Sequence, residues 1–396
     1  MRSLGQVTVI GMFAVVVMAC YLPPVVFRFL TRKKGEERVH PLTAGSLVTT
    51  GGELLLFLLA MLVLTPAAAL LFLLVPRSEK RNLFYHKAIQ NVSKFALRCL
   101  PGGKYKVYNP YGEDFSKPAV ITCNHQSHLD VLSILALTPK VILLTNDWVW
   151  NNPFYGYLIH KAEFYPISKG YSENLDKLRD LVARGYSIAV FPEGTRSPDC
   201  SIQRFHRGAF LAARELGLDI LPLYIHGFGY ALPKHEFLLR KADLSLEVGQ
   251  RIQVPEGDIA AFTREMRHHY IEQYERIRRD RETASYNAPY VRYQYLYKGV
   301  DAMRACAAAL KKESLETIDR IPYTVRTIVV EDSGFGAFAL LLALSHRDKE
   351  IYAYESDEEQ YLTAVRCSAV PANLHYVHAA PDCERVAADL TLHSCL

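Results

Sequence analysis

Apolar residues are unevenly spread along the chain. Two long runs, residues 7–29 and 54–75, come first, and beyond Pro76 the apolar stretches become short and alternate with charged segments. Each long run can cross a bilayer core, which takes about 20 residues. Arg28, Arg32, Lys33, Lys34 and Arg38 follow the first, and Arg77, Lys80 and Arg81 follow the second. Positive flanks tend to stay on the cytoplasmic side. Residues 54–75 are therefore expected either to span or, since a plain second crossing would separate the two flanks, to form a re-entrant hairpin bent at Thr65-Pro66. Residues 78–100 then place Leu83, Phe84, Ala88, Val92, Phe95, Ala96 and Leu97 against Lys80, Arg81, Lys87, Lys94 and Arg98, an amphipathic helix suited to a membrane surface or to packing on a core.

Further on, the periods alternate between strand and helix. Strands are predicted at 119–123, 140–144 and 187–191, with helices at 131–137, 172–184 and 258–282. This is an α/β pattern: a mixed sheet flanked by helices. Two loops at strand C-terminal ends carry the chemistry. The first, after Cys123, holds Asn124, His125, Ser127, His128 and Asp130. His125 and Asp130 are five apart, about 140° around a regular helix, so they meet only if His125 precedes the helix and Asp130 lies in its first turn. There the carboxylate would orient the ring and leave one nitrogen as a base; a loop in which Asn124 and Asp130 only cap backbone groups fits the same residues. The second loop, FPEGTRS at 191–197, offers Gly194 for close backbone approach and Glu193, Thr195 and Arg196 as acceptor, hydroxyl and planar cation for an anion. Ligand loops of α/β sheets gather at this end of the strands.

Composition narrows the partners. Half of the residues are hydrophobic, the excess lying before Pro76, and the net charge is +5. That mild basic balance, without an aromatic-interleaved basic stripe, excludes nucleic acid as the main partner and suits anionic lipid. Eight cysteines show no metal or disulfide spacing and read as reduced thiols. Cys123 reads as a buried strand-end thiol rather than an acyl-carrying nucleophile, His128 as a loop polar group, and His268-His269 as part of a solvated helix face without a metal site.

NHQSHLD followed some 60 residues later by FPEGTRS resembles the glycerolipid acyltransferase family of the 1-acylglycerol-3-phosphate type, over about residues 77–281. The resemblance implies a membrane-bound O-acyltransferase. His125, oriented by Asp130, would take the proton of an acceptor hydroxyl, which attacks an acyl-CoA or acyl-carrier-protein thioester. No cofactor is required. It also implies acceptor binding by Glu193, Gly194, Thr195 and Arg196, assisted by Lys169, and a place at the cytoplasmic face of a bacterial inner membrane. Where the family has an IPVDR-like sequence, this chain has YPISKG at 165–170, with Ser168 for the acid and Lys169 for the arginine. Lysine offers a point charge without a bidentate fork, which keeps a non-phosphate acceptor, an aminolipid or polyene, as an alternative. FHRG at 205–208 and LPLYIHG at 221–227 resemble the later family motifs, Arg207 being either a binding or a surface arginine.

Two further resemblances flank this region. Residues 3–30 resemble the last transmembrane helix of an RND-type lipid exporter, implying an exporter partner or a scaffold with a tethered enzyme. After a tyrosine-rich stretch and an alanine-rich helix (286–322), a strand, EDSGFGAFA, a helix and a second strand resemble the start of a class I S-adenosylmethionine methyltransferase, with Gly334, Gly336, Asp332 and Glu355 at ligand positions and Ala339 as the third small residue. Only about 75 residues follow Arg320. The expected unit, 323–396, is a partial Rossmann-like βαβ without cofactor chemistry. The predicted organisation is therefore 1–76 membrane segments, 77–285 acyltransferase domain, 286–322 linker and 323–396 partial Rossmann unit.

Overall fold

A computed structural model describes residues 2–33, 36–38, 40–100, 104–166, 171–379 and 385–393. The chain divides into two compact units, one of residues 45–277 and one of residues 1–44 with 278–396. The second apolar segment thus belongs with the unit of residues 45–277, and the tyrosine-rich stretch with the other unit.

In the unit of residues 45–277 the strands are β1 (Tyr105–Tyr108), β2 (Val120–Cys123), β3 (Val141–Thr145), β4 (Tyr165–Pro166), β5 (Ser187–Val190), β6 (Ile220–His226) and β7 (Leu244–Val248). Their order across the sheet is β1-β7-β6-β2-β5-β3-β4. All neighbours are parallel except β6 and β7. Every residue of β2, β5, β6 and β7 is buried, as expected where helices cover both faces of a sheet; β2 and β5 accordingly read as short apolar runs, whereas β7 buries Ser245 and Glu247 as well. β2 lies between β6 and β5, with Thr122 opposite Val190. The loops that follow β2 and β5 therefore leave the sheet side by side.

The helix Glu79–Cys99 starts at Ser78, whose hydroxyl accepts from the Arg81 N–H at 3.2 Å. It buries Tyr85, His86, Ser93 and Leu97. The predicted apolar stripe is split: Leu97 enters the core, whereas Phe84 and Phe95 point outward. Gln90 Nε2 donates to the carbonyls of Ala136 and Leu137 at 3.2 and 3.0 Å, closing the end of the helix Asp130–Leu137 that carries the site.

The expected hairpin at Thr65-Pro66 is not present. Ala44–Leu74 runs as one helix of 31 residues through Pro66. Proline removes one backbone bond, but long Leu/Ala-rich runs on both sides keep the helix propagating past it. Its last turns dock on the sheet's core through Ala68, Leu71 and Phe72. The Phe72 ring meets Tyr85 edge-on at 5.1 Å and carries the Arg81 guanidinium over its face at 4.4 Å. Both this helix and the helix Arg2–Thr31, which continues through Pro23 and Pro24, are long and apolar enough to cross a membrane.

The other unit holds four parallel strands, β8 (Thr327–Glu331), β9 (Glu350–Glu355), β10 (Leu374–His378) and β11 (Leu390–His393), in the order β10-β9-β8-β11. The sequence reading found only β8 and β9. Helix Ala337–Ser345 is buried along nearly its whole length, between the sheet and the helices Ala284–Tyr295 and Val300–Ala309. His40 sits edge-on to Tyr290 and Tyr293, which accounts for part of the tyrosine cluster as core.

Candidate active site

Asn124 ends β2 and ties the first loop to its neighbour. Its amide donates to the Ile225 carbonyl at 3.0 Å and its oxygen accepts the Ile225 N–H at 2.8 Å. His125 then leaves the sheet, and Asp130 opens the helix Asp130–Leu137, the arrangement their spacing demanded. Asp130 Oδ2 accepts three donors: His125 Nδ1–H at 2.8 Å, the Gln126 N–H at 2.7 Å and the Ser127 N–H at 2.8 Å. With Oδ2 acting as acceptor, the ring proton resides on Nδ1 and the lone pair on Nε2. Asp130 is wholly buried. Burial pushes its pKa up, and the bond from His125 and the backbone N–H groups pull it back. The His125 ring stacks on Phe191, with centroids 3.9 Å apart, and keeps 17% of its side chain exposed. One edge of the base thus faces solvent while its plane is fixed.

Glu193 occupies a different position from the one expected of an acceptor-binding group. It is buried; Oε1 accepts the His125 N–H at 2.8 Å and Oε2 the Gln203 N–H at 2.9 Å. The Ser197 N–H donates back to the His125 carbonyl at 2.7 Å. Its carboxylate therefore clamps the two loops together and fixes the backbone at the base. Burial pushes its pKa up to about 7 against the pull of these two N–H groups. Stability from the protonated form is complete below the ordinary carboxylate value near 4.5 and is lost as pH rises through about 7. Burial of His86 and His128, which lowers their pKa to about 4, acts in the opposite sense over the same window. The contribution of Glu193 is isolated by Glu193→Gln: the unfolding temperature of the variant relative to that of the parent should rise between pH near 5 and pH near 8, and a constant difference would remove Glu193 as a titrating group.

Gly194, at φ +66°, has the His206 ring packed against it. Thr195 Oγ1 accepts from Lys234 Nζ at 3.2 Å. Arg196 is half-buried, with Nη1 shielded from solvent and without a hydrogen-bond partner. Desolvation lowers its pKa, and the charge of Asp130 reaches it in the opposite sense. A half-buried guanidinium with an unpartnered N–H is suited to an anion. Lys169 and the rest of 167–170 lie outside the described residues.

Several supporting residues escaped the sequence reading. Tyr270 Oη donates to the Thr122 carbonyl and contacts Thr122 Oγ1, both at 2.8 Å. Tyr274 Oη takes the Gln126 amide as donor. Arg267 holds the carbonyls of Ile202 and Gln203 at 3.0 and 2.9 Å. All three lie on helix Ile259–Arg281, where Phe262, Met266, Tyr270, Tyr274 and Ile277 form a buried stripe at helical spacing; that periodicity was the available signal. On the same helix His268 is exposed, whereas His269 Nε2 pairs with the Tyr224 hydroxyl at 2.9 Å.

Cys123 is fully buried, and burial, followed by the charges of Asp130 and Glu193, raises its pKa well above the usual thiol value. A protonated, enclosed thiol is a poor nucleophile. Cys123→Ala should keep turnover within about threefold of the parent, whereas an acyl-carrying thiol would lose it by orders of magnitude.

In the C-terminal unit Glu355 is buried; its Oε1 accepts from Ser333 Oγ and from the Gly336 N–H at 3.1 Å. The Gly336 carbonyl accepts from Tyr376 Oη at 3.0 Å, and Asp332 accepts from Ser356 Oγ at 2.7 Å. Gly334 takes a positive φ of 64° in the same loop. Glu355 Oε1 is thus hydrogen-bonded within the loop, while Oε2 is buried without a hydrogen-bond partner among the described residues.

Residues 102–226, which contain both loops, match the Acyltransferase family. A 1-acyl-sn-glycerol-3-phosphate acyltransferase of Chlamydomonas reinhardtii is 31% identical over 137 residues, covering 33% of this chain and 41% of that protein. A chloroplastic one of Brassica napus is 28% identical over 147 residues (36% and 43%), and one of Pseudomonas aeruginosa 28% over 160 (38% and 61%). The chain thus spans about two fifths of the length of the first two relatives. The crystal structure of a 1-acyl-sn-glycerophosphate acyltransferase of Thermotoga maritima superposes with a TM-score of 0.49 at 20% identity, covering 58% of this chain and 96% of that one. The family match includes neither the exporter-like first helix nor residues 323–396.

Proposed function

We propose that this chain is a membrane-bound O-acyltransferase that moves a fatty acyl group from a thioester to the hydroxyl of a lysophospholipid, at the cytoplasmic face of the membrane. One observation carries the reading: a histidine held through Nδ1 by a buried aspartate at 2.8 Å, its other edge open, on a loop clamped to the one that presents Arg196. Nε2 takes the proton of the acceptor hydroxyl as its oxygen attacks the thioester carbonyl carbon. The tetrahedral intermediate collapses with cleavage of the C–S bond, and the departing thiolate recovers the proton from His125. Asp130 stabilises the imidazolium between these steps. Arg196 grips the acceptor phosphate, while Glu193 acts as a positioning residue that sets the backbone of His125.

The test is a panel of lysophospholipids and neutral or amine acceptors supplied with acyl thioesters to the purified, detergent-solubilised chain. Transfer to phosphate-bearing acceptors is expected, and transfer confined to neutral or amine acceptors would overturn the acceptor assignment. A charge-assisted bond to phosphate contributes about 1.5–3 kcal/mol. Arg196→Ala should therefore lower kcat/KM for a lysophospholipid by about 10- to 150-fold, mostly through KM, and leave a residual neutral acceptor unaffected; equal losses for both would remove the phosphate role.

A further inference from the structure

Beside the clamped loops lies a cleft of about 420 Å³, lined by Arg204, His206, Arg207, Thr263, Arg264 and Arg267 among others, and by no carboxylate. Some arginines elsewhere in this unit are answered by acids, Arg184 by Glu163 and Arg251 by Glu113. Here Arg204, Arg207 and Arg264 are exposed, and their side chains make no ion pair or hydrogen bond among the described residues, while Arg267 fixes the wall through the carbonyls of Ile202 and Gln203. Helix Gly208–Leu216 begins at Arg207 without a side-chain cap, so its positive end adds to the same site. Cations gathered in a concave site repel one another until a polyanion fills it.

We propose that this cleft binds the phosphates of the nucleotide portion of an acyl-CoA donor; the inference rests on the acyl-transfer reading above. Guanidinium forks match phosphate oxygens, and a recess of this size admits a small nucleotide, whereas an acidic carrier protein would need a protruding basic surface. The cleft is also wired to the chemistry. Gln203, which precedes Arg204, donates to Glu193, Glu193 accepts from His125, and the His206 ring packs on Gly194. Phosphates seated here leave the pantetheine arm to carry the thioester toward His125.

The test uses the full chain in detergent and the double substitution Arg207→Ala/Arg264→Ala. Adenosine 3′,5′-bisphosphate, measured by calorimetry, should bind the parent and lose affinity at least about tenfold in the variant, as expected for two lost charge-assisted contacts. KM for acyl-CoA should rise by a similar factor, with KM for the lysophospholipid and the rate with an acyl-pantetheine donor unchanged. An unchanged acyl-CoA KM overturns the proposal. A raised acceptor KM would move the cleft to the lipid headgroup, and arginine-dependent use of acyl-carrier protein without nucleotide binding would assign it to that protein; either result overturns it as well. If no thioester supports transfer, the titration still decides the cleft, and the failure falls on the acyl-transfer reading alone.

Discussion

His125→Ala is expected to lower acyl transfer by about 10²- to 10⁴-fold, the range for loss of a general base, while the protein folds as before. The two effects separate because of how the ring is held. Its contacts are the Asp130 carboxylate and the face of Phe191, and the loop is fixed by its backbone through Glu193 and Ser197. Removing the imidazole leaves Asp130 with its two backbone donors, from Gln126 and Ser127. Thermal unfolding should therefore shift little, and the loss should appear in kcat at every pH. Asp130→Asn tests the same unit from below: a carboxamide oxygen can take the place of Oδ2, but the charge that stabilises the imidazolium is lost and the NH2 would sit where Oδ1 is buried without a partner, so it should lose activity together with some stability. Transfer by His125→Ala within tenfold of the parent would remove the base from the mechanism.

Gly227→Ala should abolish a stable fold. Gly227 follows β6 at φ +87°, and an added Cβ would lie 2.1 Å from the Asp243 carbonyl oxygen, a backbone atom at the start of β7. A left-handed alanine costs roughly 1–3 kcal/mol, and forcing apart two packed strands adds about as much or more. Ile225, two residues before Gly227, pairs with the Asn124 amide, so movement of β6 is passed to the loop of His125. The expected outcome is poor expression in membranes and loss of cooperative unfolding. A soluble, active variant with the parent's unfolding temperature would show that β7 yields more readily than its burial implies. Cooperative unfolding of Gly217→Ala, at a left-handed helix end with open space around it, should drop only mildly and serves as the control.

The two loops were legible because their chemistry is local. Five residues between His125 and Asp130 left one geometry in which they could touch, and the apolar runs before each loop announced buried strands. Glu193 was not legible in the same way. A carboxylate in a polar loop looks like a ligand group, and only the parallel pairing of β2 with β5 reveals that two backbone N–H groups converge on it. Helix Ile259–Arg281 was read by its charges, which face solvent, rather than by the stripe from Phe262 to Ile277 that faces the site. β10 and β11 are short and half-exposed, with histidines at positions where an interior strand would be apolar, so their pattern was too weak to stand out. Pro66 misled for another reason: proline marks a break where helix propensity is modest, but this run is long enough to continue past it.

Helix Ala44–Leu74, with 31 residues, is about 46 Å long at 1.5 Å per residue. Its last turns are fastened to the sheet through Ala68, Leu71 and Phe72, and its first turns through Thr50, whose hydroxyl accepts the Leu239 N–H at 2.9 Å. Held near both ends by the unit of residues 45–277, the helix lies along that unit, and its exposed residues, Leu54, Leu55, Leu59, Leu62 and Val63 among them, form an apolar flank at a fixed distance from the loops of His125 and Arg196.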